Sequence, residues 1–164
     1  MATSRNAMMI KKILIGIDDS KYAEHAAEYG FDIAHKFKAE VGLVNIVEPV
    51  MMPQTIASTD PLMSMAMPGT GIEEMELLDI QKNQSENIVD RAVKKFAGNI
   101  QVTQFHEYGS TSDGIISCAK EFGADLIIVG THNRTGLDRL LMGSVAEHVV
   151  RHSEVPVLVV PFKG

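Results

Sequence analysis

Short apolar runs alternate along the chain with longer segments of helical periodicity. The apolar runs are typical of strands covered on both faces of a parallel sheet. They are Ile13–Ile17, Val41–Val47, Ile100–Phe105, Leu126–Val129 and Val155–Val160, of which the third is the least apolar. The predicted helices between them are Ser20–Phe37, Ile72–Phe96, Ser112–Phe122 and Ser144–His152. This alternation predicts an α/β fold, a doubly wound five-stranded parallel sheet with helices on both faces.

The order of the strands follows from the handedness of the connections. Right-handed crossovers leave few ways of winding five parallel strands, and one common order is 3-2-1-4-5. In that order the chain reverses direction between the first and fourth strands, and a crevice opens at their carboxyl ends. Those ends are the segments GIDDS (Gly16–Ser20) and GTHN (Gly130–Asn133). We therefore expect a ligand-binding site where these two segments meet.

Local residue types set the expected helix ends. Ser20 stands where the first helix needs an N-cap, with Glu24 one turn later. Ser112 or Thr111 can cap the third helix, and Gly123 can end it in the left-handed conformation.

The length of 164 residues suits one domain. Residues 1–9 are expected to be a disordered lead, and residues 10–164 a single domain. Within it, residues 48–71 hold four prolines and five of the ten methionines without helical or strand periodicity. A flexible loop is expected there. Its methionines would form either an adaptable lid or partner surface, or an exposed loop that packs partly on the domain.

Composition excludes several classes of partner. A net charge of −6 argues against binding the phosphate backbone of nucleic acids and against docking on anionic membranes. Aromatic residues make up only 5% of the chain, too few for stacking platforms. The sequence shows neither an apolar run of membrane-spanning length nor a signal peptide, and its one cysteine, Cys118, suits a reducing compartment. We expect a cytoplasmic protein.

The last predicted strand is apolar throughout, but Pro156 cannot donate a hydrogen bond to a neighbouring strand and favours the edge of the sheet. An exposed apolar edge invites association. A second copy of the chain is the simplest cover, so we predict a homodimer through Val155–Val160.

The two loop segments carry chemistry suited to a phosphorylated ligand. Gly130 ends the fourth predicted strand and, lacking a Cβ, would let a ligand approach the backbone. Gly143 and Ser144 open the last helix, whose free N–H groups suit an anion. The Ser144 hydroxyl would bind a phosphate oxygen or simply cap the helix. Asp18 would bind a ribose hydroxyl or an adenine amino group, or serve as a turn residue.

Other polar residues are weaker candidates. His148 and His152 lie one helical turn apart, but no acidic or cysteine partner completes a set of ligands, so exposed positions are expected and no metal site is predicted. His132 and Arg134 would contact a phosphate tail or solvent, and His106 would face the ligand or solvent. No catalytic residue is evident, and no lysine occupies a Walker position.

The segments KKILIGIDDS and GADLIIVGTHNRTGLDRLLMGSVAEHVVRHSEVPVLVV, with the strand–helix order, resemble the universal stress protein family from Lys11 to Val160. Members that bind ATP carry Gly-x2-Gly-x9-Gly-(Ser/Thr). Here Gly130, Asn133, Gly143 and Ser144 occupy those positions, so Asn133 replaces the second glycine. Asparagine tolerates the left-handed conformation, and its side chain would either donate a hydrogen bond to a phosphate or narrow the pocket.

The resemblance implies that Asp18 contacts the nucleoside, that the backbone of Ile46 lies beside the adenine, and that Gly16 lines the same pocket. It implies a cytoplasmic sensor or regulator of the stress response that binds ATP or AMP, with Mg²⁺ on the phosphates. Two alternatives stay open. One is an interaction protein without nucleotide, working through its dimer and the methionine-rich loop. The other is an enzyme with slow ATP hydrolysis or autophosphorylation.

Overall fold

A computed structural model describes residues 10–49, 71–132 and 143–162, with the backbone alone at 71–74 and 132. These residues form one parallel sheet in the order β3-β2-β1-β4-β5, which confirms the predicted order and fold class. The strands are β1 Lys12–Gly16, β2 Glu40–Val47, β3 Val102–Tyr108, β4 Leu126–His132 and β5 Val157–Phe162. The predicted lead 1–9 and residues 50–70 of the predicted loop lie outside the described residues.

The helices cover the sheet on both faces. They are α1 Lys21–Phe37, α2 Gly71–Ala92, α3 Thr111–Phe122 and α4 Ser144–His152, and a π-helical turn, Val93–Ala97, follows α2. Successive side chains of a strand point to opposite faces. Ile13 and Ile15 accordingly pack with α1 and α2, whereas Leu14 packs with α3 and α4. No helix in the described ranges is long and apolar enough to cross a membrane.

The helix ends follow the predicted rules with one exception. The Ser20 side chain accepts a hydrogen bond from the Ala23 N–H and caps α1 as predicted. Gly123 ends α3 in the left-handed conformation, at φ 70°. The cap of α3, however, is Ser110 and neither Ser112 nor Thr111. The hydroxyl of Thr111 is instead committed to the carboxylate of Glu48, and the helix begins earlier than predicted.

The two edge strands differ from their sequence patterns. β3 lies at one edge, as the predicted order requires, but it is not covered on both faces as expected, because Thr103, Gln104 and Glu107 are exposed. β5 lies at the other edge, as Pro156 indicated, although the strand begins after this proline. The Pro156 carbonyl accepts a hydrogen bond from the Ile127 N–H, so the residue starts the pairing with β4.

Candidate functional site

A cavity of about 360 Å³ opens at the carboxyl ends of β1, β2 and β4. Most of its wall is apolar, formed by side chains from the three strands and from helices α1, α3 and α4. These are Ile17, Ala23, Val44, Ile46, Ile115, Val129 and Val145. Its polar side chains are Asp18, Ser20, Tyr22, Glu48 and Thr111. A flat apolar group with polar substituents at its ends would match this lining.

Four of the predicted site residues line this cavity: Gly16, Asp18, Ile46 and Gly130. They meet because β1 pairs directly with β4, which brings the ends of both strands together. Gly143 and Ser144 directly precede Val145, which lines the cavity. Asn133 and Arg134 lie outside the described residues, as does the side chain of His132.

The turn after β1 fixes the backbone beside Asp18. One carboxylate oxygen of Asp18 accepts a hydrogen bond from the Ser20 N–H at 2.8 Å. The buried amide of Asn45 donates to the Ile17 carbonyl at 2.8 Å and holds the strand end against β2. Asp18 therefore does have the role of a turn residue. It is also exposed, and its Oδ2 has no hydrogen-bond partner among the described residues.

The start of α4 differs from one of the sequence-based alternatives. Gly143 occupies the N-cap position at φ 81°, so Ser144 is the first helical residue and does not cap the helix. A side chain at Gly143 would strain the backbone, since few residues adopt this φ. The first backbone hydrogen bond of the helix runs from the Glu147 N–H to the Gly143 carbonyl. The N–H groups of Ser144, Val145 and Ala146 therefore have no intrahelical acceptor.

The role of Gly130 in the fold also differs from the expectation. β4 continues past it to His132. A Cβ at Gly130 would lie 2.4 Å from the carbonyl oxygen of Tyr22, in the first turn of α1. The glycine is therefore required because α1 packs directly on β4, and the predicted reason, close approach of a ligand, is not needed to explain it.

One polar pair at the cavity mouth was not predicted. Oε1 of Glu48 accepts hydrogen bonds from the hydroxyl of Thr111 at 2.6 Å and from its N–H at 3.3 Å. These bonds, that of the hydroxyl first, lower the pKa of Glu48 from its ordinary value. The signal in the sequence is indirect: Glu48 follows β2, Thr111 follows β3, and paired parallel strands end side by side.

The histidines have partners elsewhere. Nδ1 of His106 forms a 2.9 Å hydrogen bond with the buried hydroxyl of Ser85, so this residue does not face the cavity. Nε2 of His148 lies 3.0 Å from Oδ1 of Asp113 on α3, and Nδ1 of His152 bonds to the carbonyl of His148.

The sheet order and the position of the cavity define a doubly wound α/β protein with its crevice at the topological switch point. The sequence signature of the universal stress protein family matches residues 9–161. The chain therefore belongs to the universal stress protein family.

Relatives of known sequence are similar over nearly the whole chain. Universal stress protein MJ0577 of Methanocaldococcus jannaschii is 32% identical, with 96% of this chain and 99% of the relative aligned. Universal stress protein MJ0531 of the same organism is 31% identical, with 93% of this chain and 82% of the relative aligned.

Solved structures support the same relationship. The structure of MJ0577 superimposes with a TM-score of 0.72 at 27% identity, over 95% of this chain and 99% of the other. An Arabidopsis thaliana family protein, At3g01520 with AMP bound, superimposes with a TM-score of 0.63 over 94% and 93% of the two chains. At 16% identity, this second likeness shows the shared fold.

We predict that Gly130→Ala lowers the free energy of unfolding by about 3 kcal/mol or more, because the new methyl group meets backbone atoms that cannot rotate away. Gly16→Ala is the matched control. Its Cβ would lie 3.2 Å from Cδ1 of Ile115, a side-chain end that can shift, so the expected loss is about 1 kcal/mol or less. Urea denaturation of the three proteins measures both values. Equal losses of unfolding free energy in the two variants would contradict the conclusion that the packing of α1 on β4 requires a glycine at position 130.

Proposed function

We propose that this protein binds an adenine nucleotide, with ATP as the favoured ligand, and acts as a cytoplasmic sensor or regulator of the stress response. The observation that carries the proposal is the composition of the crevice. An apolar slot and an exposed carboxylate line one cavity of nucleoside size, and the first turn of α4 contributes Val145 to its wall.

The slot suits a purine base. Ile17, Val44 and Ile115 provide apolar surface on which a flat ring can lie. In this assignment the backbone of Ile46 contacts the edge of the adenine, and Gly16 forms part of the floor. The AMP-bound Arabidopsis protein supports the choice of an adenine nucleotide, since it has the same fold.

Asp18 is assigned to the ribose. Its free Oδ2 can accept a hydrogen bond from a ribose hydroxyl, while its Oδ1 holds the turn. A carboxylate accepts hydrogen bonds from hydroxyl groups and repels phosphates, so the phosphates must lie away from Asp18.

The phosphates are assigned to the start of α4. Three backbone N–H groups without intrahelical acceptors and the positive end of the helix dipole favour an anion there. In this assignment the Ser144 hydroxyl binds a phosphate oxygen, and Gly143 lets the backbone approach the phosphates closely. Asn133 donates a hydrogen bond to the phosphate tail. Mg²⁺ would be held mainly by phosphate oxygens and water.

The described residues that line the crevice include no lysine, arginine or histidine. Fast phosphoryl transfer needs cationic groups and a positioned base or nucleophile. The crevice therefore suits ligand sensing, and any turnover would be slow hydrolysis or autophosphorylation.

We expect ATP to bind the purified protein after any bound nucleotide has been removed, as measured by isothermal titration calorimetry. Asp18→Asn should weaken binding about tenfold through the loss of a charged hydrogen bond. Gly143→Val should abolish binding because a branched side chain rarely adopts φ 81°, so the backbone at the start of α4 must change.

The matched control is Gly123→Val, which places the same strain at φ 70° at the far end of α3. This variant should lose stability but still bind ATP. The proposal fails if heat-treated protein releases no nucleotide and if neither ATP nor AMP produces a thermal shift or heat of binding.

A homodimer through the β5 edge is part of the proposal. The Pro156 carbonyl points to β4, so alternation along the strand directs the N–H groups of Val157 and Val159 to the open edge. Pro161, the next residue in this alternation, has no N–H group. Two donors in a short apolar strand therefore stand open to pairing with a second copy.

We expect the wild-type protein to be a dimer by light scattering after size exclusion. Val159→Pro should shift it towards a monomer by removing one donor from the open edge while leaving pairing with β4 intact. Pro161→Val, the control, removes no donor and should leave the dimer unchanged. A monomeric wild-type protein at micromolar concentration would contradict the assignment.

A second candidate function is an interaction role without nucleotide. The observation that favours it is the start of α2, where Met75 and Leu78, three residues apart on one face of the helix, are both exposed. Apolar side chains that stand together on a surface often mark an interaction site. The calorimetry described above separates this role from nucleotide binding.

A further inference from the structure

Glu48 stands at the mouth of the crevice, on the same face of the sheet as Ile46. The two residues lie two positions apart along β2 and its continuation, and this spacing directs their side chains to one face. Ile46 packs against α3, where a Cβ on Gly114 would lie 2.6 Å from its Cδ1. The carboxylate of Glu48 reaches the first residue of the same helix, Thr111.

The position of the Glu48 carboxylate is fixed through one oxygen only. Oε1 accepts both hydrogen bonds from Thr111, whereas Oε2 has no hydrogen-bond partner among the described residues. A glutamate carboxylate is ionised at neutral pH, and the bonds from Thr111 lower the pKa of Glu48 further. The crevice therefore has at its mouth a fixed negative charge with a free acceptor.

The charges around the crevice divide it into two ends. Asp18 and Glu48 are the charged side chains among the described lining residues, and both are negative. The favourable end for an anion is the start of α4, where three N–H groups have no intrahelical acceptor. A ligand with phosphate at one end is thereby oriented, since its uncharged end must face the two carboxylates.

We propose that Glu48 is a specificity-determining residue, which accepts a hydrogen bond from an O–H or N–H group of the nucleoside. Its negative charge also disfavours ligands that carry a second phosphate on the nucleoside, away from the 5′ side. This inference rests on the proposed function, because it assigns a role within the same crevice. It narrows the ligand class to nucleotides whose only phosphates are on the 5′ side.

A purely structural role for Glu48 makes a different prediction. A carboxylate at a helix N-terminus stabilises the helix, and its loss would lower stability without changing the relative affinity for two ligands. The ratio of two affinities is therefore the informative measurement, because a general loss of folding or of binding sites affects both ligands alike.

The experiment compares AMP with adenosine 3′,5′-bisphosphate by calorimetry. We expect the wild-type protein to prefer AMP by tenfold or more. Glu48→Gln, which keeps the shape and removes the charge, should reduce this preference about tenfold, because the solvent-screened carboxylate no longer repels the second phosphate. Thr111→Val, which frees the carboxylate from the hydroxyl, should give an intermediate preference.

Glu121→Gln is the matched control, since it removes the same charge from an exposed position of α3 that does not line the crevice. It should leave the preference unchanged. If wild type and Glu48→Gln bind AMP but show the same preference, the role of Glu48 is wrong and the proposed function stands. If the wild-type protein binds neither AMP nor ATP, the proposed function and this inference both fail.

Discussion

The close approach of α1 to β4 is the constraint on which the crevice depends. The first turn of α1 lies so near the strand that Gly130 has no room for a Cβ. Ser20 caps this helix and Asp18 forms the turn before it. The contact between α1 and β4 therefore also fixes the position of the Asp18 carboxylate. The pairing of β1 with β4 then brings that carboxylate to the same edge of the sheet as the start of α4.

Electrostatics within the crevice follow from the order of the strands. Glu48 and Asp18 follow β2 and β1, whereas helix α4, which follows β4 in the chain, begins with N–H groups that have no intrahelical acceptor. The order 3-2-1-4-5 brings both kinds of group to the carboxyl end of the sheet. In the proposed function, this arrangement would separate the anionic tail of a nucleotide from its neutral head group, without any cationic side chain among the described lining residues.

The sequence predicted the features that depend on local periodicity. The strand order, helix α4 and the Ser20 cap follow from alternation, crossover handedness and capping chemistry. Predictions from the sequence were wrong where a residue contacts a segment that is distant along the chain. Ser110 caps α3, and the hydroxyl of Thr111 bonds to Glu48, which lies more than sixty residues away in sequence. The reason for Gly130 is likewise a backbone contact with Tyr22, which no local pattern contains.

The stability of α4 determines how firmly its N-terminal N–H groups are held beside the crevice. This helix has nine residues, too few to be stable alone in water. The hydrogen bond between His148 and Asp113 is exposed to solvent and therefore contributes little. Fully burying Val149 contributes about 1.5–3 kcal/mol, and Ala146 adds to the same contact with the sheet. Apolar packing, more than charge, therefore holds the N–H groups of Ser144 and Val145 at the crevice.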